Sequence, residues 1–129
     1  MDFKVMSPLL GFEDISVMKL EKIDDVFMKL SSKNRDKKIS FTLINPFVLR
    51  EYKIEIPKYY KELLGIEENS NCLILNSMIV EQPIENSQIN FIAPFIFNID
   101  TKKMTQIVLD SDKYPDFGIM QKISDYIKE

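Results

Sequence analysis

Residues 89–109 read INFIAPFIFNIDTKKMTQIVL and form the most apolar stretch of the 129-residue chain. A polar cluster from Asp100 to Lys103 divides this stretch into two runs rich in β-branched and aromatic residues. Such residues pack well on a pleated surface, and a short polar break between two of their runs is typical of a hairpin. Pro94 lacks the N–H group that a strand ladder needs, which places it at a bulge or an edge. We therefore predict a hairpin at the centre of a β-rich core.

Runs on the N-terminal side of the hairpin have the patterns of further strands. Ile39, Phe41 and Leu43 alternate with polar residues, as in a half-buried strand. The run from Cys72 to Val80 is apolar almost throughout, which is expected of a strand covered on both faces. Less regular patterns predict four more strands, at Phe3–Met6, Val17–Ile23, Val26–Leu30 and Tyr52–Ile56.

A short helix is predicted in the middle of the chain. Pro57 suits the first helical position, where its missing N–H group costs nothing. The residues at i, i+3 and i+4 that follow form one apolar face, made by Tyr60, Leu63 and Leu64. Gly65 then supplies a left-handed C-terminal cap. About two turns of helix are marginal alone, so this helix must pack against the sheet.

A second, amphipathic helix is predicted at the end of the chain. Ile119, Ile123 and Ile127 recur every four residues, and Asp116 is placed to cap the helix. The apolar stripe either covers the core or forms a docking face. The fold class is therefore mainly β: a small antiparallel β-barrel or sandwich with one short mid-chain helix and a C-terminal helix. The length predicts a single domain over residues 1–129.

The charge of the chain is unevenly distributed. Seventeen basic and twenty acidic residues give a net charge of −3. Residues 1–64 carry 12 basic and 10 acidic groups, whereas residues 65–129 carry 5 and 10, so the second half has a net charge of −5. An acidic half disfavours the binding of phosphate. It either serves solubility or forms an acidic face that meets a basic protein.

The single cysteine and the absence of long apolar runs indicate in which cellular compartment the protein is expected. Cys72 has no second cysteine to pair with, and its apolar surroundings favour a buried structural thiol, as in a reducing cytoplasm. The first ten residues contain no long apolar segment, and no window reaches about 18 uninterrupted apolar residues. We expect a cytoplasmic protein without a membrane segment.

The residue inventory argues against catalysis and against cofactors. The chain has no histidine, which removes the commonest general base and metal ligand. Its three glycines, at positions 11, 65 and 118, do not form a phosphate-binding loop, and its carboxylates show no paired spacing. The polar loop Ser31–Lys38 is basic but lacks aromatic residues, so direct nucleic-acid binding is not expected either. No metal site or cofactor is predicted. The function class that remains is the binding of other proteins.

Several short motifs occur in a specific order. Leu10-Gly11-Phe12-Glu13 comes first, followed by Asn45-Pro46-Phe47 and by Glu55-Ile56-Pro57. In the hairpin, Asn90, Ala93-Pro94 and Asn98 precede the run Gln106-Ile107-Val108-Leu109. By the order and spacing of these pieces, the chain resembles the FliW family of flagellar assembly factors over essentially its whole length. It departs from the family pattern at Met104, where many relatives are expected to have glycine.

The resemblance implies a small β-barrel-like protein that binds other proteins and catalyses no reaction. FliW proteins bind flagellin in the cytoplasm and also bind CsrA, an RNA-binding translational repressor. Capture of CsrA relieves repression of flagellin mRNA, and accumulating flagellin in turn occupies FliW. We hypothesise that the acidic half docks near the basic surface of CsrA and repels the phosphates of the RNA. The residues that test this hypothesis are Glu67, Glu68, Glu81 and Glu85.

Seven residues are candidates for protein binding: Phe12, Glu13, Phe47, Arg50, Asn90, Asn98 and Gln106. Phe12, Phe47 and Arg50 lie in turns or breaks, and aromatic and Arg residues are typical interface anchors. Glu13 adjoins Phe12 in the same motif. The two asparagines and Gln106 are polar residues in an apolar hairpin, so they either bond the backbone or face a partner. A second interpretation is a structural or assembly subunit that oligomerises through exposed sheet edges.

Overall fold

Strands and one short helix make up the computed structural model, which describes residues 1–7, 9, 12, 14–33, 39–118 and 120–126. The nine strands are β1 (Asp2–Val5), β2 (Val17–Lys22), β3 (Phe27–Ser32), β4 (Ser40–Ile44), β5 (Cys72–Ile79), β6 (Gln88–Ile89), β7 (Phe95–Asn98), β8 (Lys103–Gln106) and β9 (Gln121–Lys122). Helix α1 spans Lys58–Leu64, and short 3-10 turns occur at Pro46–Val48, Ile84–Asn86 and Ile123–Asp125. No helix of the described residues is long and apolar enough to cross a membrane.

Seven of the strands close into a barrel. Their order is β4-β3-β2-β1-β8-β7-β5, and β5 pairs back with β4. Neighbouring strands are antiparallel except β1 and β8, which pair in parallel with Lys4 opposite Lys103. The second half of β5 also pairs with β6, and β6 pairs with β9, so these two short strands extend the sheet beyond the barrel. The predicted mainly-β barrel is confirmed.

The predicted hairpin is at the centre of the core. Strands β7 and β8 pair in register around a turn at residues 99–102, in which Lys102 has a left-handed φ of 59°. Phe95 and Phe97 are almost completely buried inside the barrel, and Phe97 meets the ring of Phe3 edge-on at 5.0 Å. Burying each such side chain stabilises the fold by about 1.5–3 kcal/mol. Pro94 lies directly before β7, where no ladder donor is lost.

Helix α1 packs on the outer face of the barrel. Leu64 at its end is buried against Ile96 and Ile107. Gly65 has a φ of 68° and its N–H group bonds the carbonyls of Lys61 and Glu62, so the predicted left-handed cap is confirmed. The helix begins at Lys58, one residue later than the sequence indicated, because Pro57 is its N-cap.

The predicted strand at Tyr52–Ile56 is wrong. Residues 51–57 form no ladder, although the burial alternates as expected: Tyr52 is buried, Ile54 and Ile56 are half-buried, and Lys53 and Glu55 are exposed. The backbone N–H group of Glu55 instead donates to the hydroxyl of Tyr114 at 2.8 Å. This segment is an extended cover on the barrel, and its alternation reflects one-sided packing without a partner strand.

The predicted C-terminal amphipathic helix is also wrong for the residues that the structure describes. Gln121 and Lys122 pair with β6, and a single 3-10 turn follows over Ile123–Asp125. Ile123 is buried against Ile89 and Phe91, so its apolar side chain does cover the core. Pairing with β6 satisfies backbone N–H and C=O groups of Gln121 and Lys122, which a helix would have bonded internally. Ile119 and Ile127 lie outside the described residues.

Candidate protein-binding site

An open groove of about 330 Å³ lies at the end of the barrel where β1 and β8 finish and β7 begins. We call it the mouth groove. Among the described residues, its lining consists of Leu9, Phe12, Phe41, Asn90, Ile92, Ala93, Gln106 and Val108. Six of these residues are apolar and none carries a charge. Val108 is 70% exposed, so the groove presents apolar surface to solvent.

Aromatic rings form one wall of the mouth groove and continue into the core. The ring of Phe12 meets that of Phe41 edge-on at 5.6 Å, and Phe41 lies 5.7 Å from the ring of Phe95. Phe12 is held in place by a turn in which its N–H group donates to the carbonyl of Leu9 at 2.8 Å. Phe95 is buried in the core and anchors the inner end of this wall, and an anchored wall lowers the entropy that binding would cost.

Two amide side chains hold the opposite wall. Asn90 accepts a hydrogen bond on Oδ1 from the N–H group of Ala93 at 3.1 Å, and Gln106 donates from Nε2 to the carbonyl of Ala93 at 3.2 Å. The carbonyl of Asn90 accepts a further bond from Asn76 Nδ2 at 2.9 Å. Bonding to the backbone, one of the two interpretations of these amides, is thus present in the structure. Both side chains nevertheless remain half-exposed in the groove.

Asn98 lies away from the groove and is fully buried. Its Nδ2 donates to the carbonyl of Leu64 at 2.9 Å, and its Oδ1 accepts from the N–H group of Asp100 at 3.0 Å. Asn98 therefore shows the same kind of backbone bonding as the other two amides, but without exposed surface. Its position at the end of β7 connects the hairpin turn to α1.

Phe47 and Arg50 lie on the outer layer of the molecule. Phe47 is 54% exposed and meets the ring of Tyr52 edge-on at 6.2 Å. The guanidinium of Arg50 is 4.8 Å from the ring centroid of Phe117 and 5.4 Å from that of Tyr126. Arg50 also donates to the Tyr126 hydroxyl at 3.3 Å. It thus anchors the C-terminal segment to the barrel, whereas Phe47 offers an exposed ring.

The structure therefore brings together only part of the predicted set. Three of the candidates line the mouth groove: Phe12, Asn90 and Gln106. Three others lie elsewhere: Phe47, Arg50 and Asn98. Glu13 and Gly11 lie outside the described residues. Sequence reasoning missed Val108, although alternation between Ile107 and Leu109, both buried, was a signal that Val108 faces outward.

The acidic residues of the second half do not form one face. Glu67 and Glu68 precede the start of β5, while Glu81 and Glu85 follow its end. A strand of this length separates its ends by roughly 25 Å. Near the first pair, the N–H group of Asn71 donates to the carboxylate of Asp100 at 2.9 Å, and this bond lowers the pKa of Asp100 below its ordinary value. The second pair lies at the barrel end that carries the mouth groove.

Comparisons with a family model, with curated proteins and with solved structures all match FliW proteins. A family model described as "FliW protein" matches residues 2–116. Flagellar assembly factor FliW 2 of Wolinella succinogenes is 52% identical over 126 residues, which cover 98% of this chain and 92% of that protein. Flagellar assembly factor FliW of Sulfurimonas denitrificans is 53% identical over 130 residues and the full length of both chains. A crystal structure of the flagellar assembly factor FliW superposes with a TM-score of 0.86 at 19% identity, covers 99% of this chain and 87% of the other, and shows a shared fold.

Proposed function

The chain belongs to the FliW family of flagellar assembly factors, and from that premise we propose that it is a cytoplasmic, non-catalytic regulator that binds flagellin and the translational repressor CsrA. Capture of CsrA frees flagellin mRNA for translation. Flagellin that accumulates then competes for the same regulator. The concentration of flagellin thereby sets how much CsrA is free.

The mouth groove is the observation that supports this proposal most directly. An apolar recess with an aromatic wall that is anchored in the core suits an apolar anchor from a partner protein. CsrA binds RNA, and the protein surface that does so must be basic. The described lining of the groove contains no carboxylate that would attract such a basic surface. We therefore assign the groove to flagellin, with Phe12 and Val108 as its apolar contacts and Asn90 and Gln106 as polar ones.

CsrA is assigned to the acidic residues at the same end of the barrel. Glu81 and Glu85 are exposed in the connection between β5 and β6, which continues directly to Asn90 in the groove. A basic partner attracted by these carboxylates would lie over the groove rim. Overlap of the two partners at one end of the barrel would make their binding mutually exclusive, as a partner switch requires.

A charged substitution in the groove tests the flagellin assignment. Val108→Glu places a carboxylate in the apolar recess, and Ile23→Glu makes the same change at a 57% exposed isoleucine at the opposite end of the barrel. We expect the Val108 variant to lose co-elution with flagellin in size-exclusion chromatography while the Ile23 variant retains it. Both variants should melt like the parent. Retained binding by the Val108 variant would remove the groove from the proposal.

Charge reversal at the two ends of β5 tests the CsrA assignment. The double variant Glu81→Lys/Glu85→Lys should weaken CsrA binding and competition with RNA. The matched variant Glu67→Lys/Glu68→Lys changes the net charge equally and should leave both unchanged. Equal effects of the two variants would show that net charge alone matters. If the parent binds neither CsrA nor flagellin, the whole proposal fails.

No observation favours the alternative of a subunit that oligomerises through sheet edges. Because the barrel is closed, each of its seven strands has a neighbour on both sides. In the part of the chain that the structure describes, β9 alone has a free edge, and it is only two residues long.

A further inference from the structure

A row of lysines crosses the outer face of the barrel from β8 to the end of β3. Lys103 lies opposite Lys4, which lies opposite Val17 in β2. The N–H group of Lys33, directly after β3, donates to the carbonyl of Val17 at 3.1 Å and continues the row. With strands about 4.8 Å apart, the three lysines span about 14 Å.

Two further lysines enlarge this surface, which we call the lysine face. Lys19 and Lys29 point outward from β2 and β3 beside the row, and both are exposed. Among the residues that the structure describes, two acidic side chains share the face. Asp2 forms an ion pair with Lys33 at 2.9 Å, and Glu21 approaches Lys19 at 3.9 Å.

The lysine face is positive on a negative protein. Its five lysines and two carboxylates give +3, whereas the whole chain carries −3, so the remaining residues carry −6. Lys4, Lys29 and Lys103 have no carboxylate of the described residues within ion-pairing distance. Lys4 and Lys103 occupy paired positions of two parallel strands. Their like charges repel each other, and an anionic partner would relieve this repulsion.

We propose that the lysine face is a docking surface for an acidic segment of a protein, distinct from the mouth groove. The recess between β2, β3 and β4 has a volume of about 390 Å³ and places serine hydroxyls among the lysines. In its described lining, the side chains that can donate hydrogen bonds are Lys19, Lys29, Lys33, Ser31, Ser32 and Ser40. Ammonium and hydroxyl groups in this arrangement match carboxylates spaced along a peptide.

Charge and composition favour a protein over a nucleic acid as the occupant. No aromatic side chain occurs in the described lining of the recess, which therefore offers nucleic-acid bases no ring to stack on. Asp2 and Glu21 interrupt the positive surface and would repel a continuous row of phosphates. The charge of −6 on the rest of the molecule opposes any long polyanion that extends beyond the face.

Fluorescence anisotropy with a labelled Glu-rich helical peptide of about 20 residues tests the proposal, because glutamates at i and i+4 form one acidic stripe. The full-length chain should bind the peptide at low salt and release it as salt screens the charges. Lys4→Gln/Lys103→Gln should weaken binding about tenfold, which corresponds to about 1.4 kcal/mol. The matched pair Lys53→Gln/Lys58→Gln removes equal charge from two lysines whose side chains are 86% and 89% exposed, and should change binding less than about twofold.

Three results would overturn the proposal. The peptide fails to bind at low salt, the two double variants weaken binding equally, or a single-stranded RNA of similar length binds more tightly than the peptide. Circular dichroism of each variant separates lost binding from lost folding. Because the lysine face and the mouth groove share no lining residue, the result is independent of flagellin and CsrA binding.

Discussion

The side chain of Asn98 donates to the main-chain carbonyl of Leu64 at 2.9 Å and so connects the central hairpin to the end of α1. Thr101 donates to the same carbonyl from Oγ1, also at 2.9 Å. Leu64 is the last residue of α1, where carbonyl groups lack partners within the helix. The hairpin turn thus satisfies a helix end that would otherwise be buried without a partner.

Asn98→Ala should lower the free energy of unfolding by about 1–3 kcal/mol, because it leaves the buried carbonyl with one donor fewer and removes the bond to Asp100. Urea unfolding followed by circular dichroism measures the change. Asn69→Ala, in an exposed turn, is the control and should have little effect. An Asn98 variant that keeps its stability but loses a binding partner would instead show that Asn98 contacts that partner.

Gly65→Ala should destabilise the protein by about 1–2 kcal/mol, because a left-handed backbone brings Cβ against the following carbonyl. The new methyl group would also lie 3.2 Å from Thr101 Cγ2. Gly65→Asn introduces the same Cβ, but asparagine tolerates the left-handed region better. Thermal melting of both variants separates the two causes. A smaller loss for asparagine points to the backbone, and equal losses point to the contact with Thr101.

Arg50→Met should loosen the C-terminal segment while the barrel stays folded. The substitution keeps an apolar stem but removes the cation that lies over Phe117 and Tyr126, at a cost of about 1–2 kcal/mol. Hydrogen exchange should accelerate at the amides of residues 117–126 and remain slow in β7. Arg50→Lys keeps the charge without the planar guanidinium and should give an intermediate rate. Unchanged exchange in residues 117–126 would contradict the anchoring role.

Tyr52→Phe should change how stability depends on alkaline pH. Burial raises the pKa of Tyr52 from its ordinary value of 10.0 to about 12. Because the pKa of Tyr52 is higher in the folded chain, the neutral hydroxyl contributes to the free energy of unfolding. This contribution is complete below pH 10 and is lost as pH rises from about 10 to about 12. Urea unfolding at pH 9, 10 and 11 should show a smaller decline for the variant than for the parent. Parallel declines would show that the Tyr52 hydroxyl ionises as freely in the folded chain as in the unfolded one.

The same substitution also has a cost at neutral pH. The Tyr52 hydroxyl donates to the carbonyl of Phe91 and accepts from Asn76 Nδ2 at 3.2 Å, so phenylalanine leaves both buried groups with one partner fewer. A loss of about 1–3 kcal/mol is expected at pH 7. Tyr59→Phe, at a tyrosine that is 64% exposed, is the matched control.

The strands of the barrel could be predicted from sequence because each has one apolar face that points inward. The alternation of Ile39, Phe41 and Leu43 and the continuous run from Cys72 to Val80 both correspond to observed strands. The same signal was misleading at Tyr52–Ile56. Alternation reports an extended backbone packed on one side, and it does not reveal whether a second strand lies within hydrogen-bonding distance.

The mouth groove could be predicted only in part. Phe12, Asn90 and Gln106 are far apart in sequence, and they meet because β1, β7 and β8 are neighbours in the closed sheet. The parallel pairing of β1 with β8 joins residues about a hundred positions apart, and no local pattern encodes it. The C-terminal strand was missed for the same reason, since β9 exists only through its pairing with β6.

The parallel pairing of β1 with β8 also sets the order in which the protein can form during synthesis. β1 is translated about a hundred residues before its partner, which begins at Lys103. Until β8 has been translated, β1 and β7 each keep a bare edge, and the growing chain is open to pairing with other chains. Folding dominated by such distant contacts is slow. A nascent chain that stalls before Lys103 is therefore an aggregation hazard.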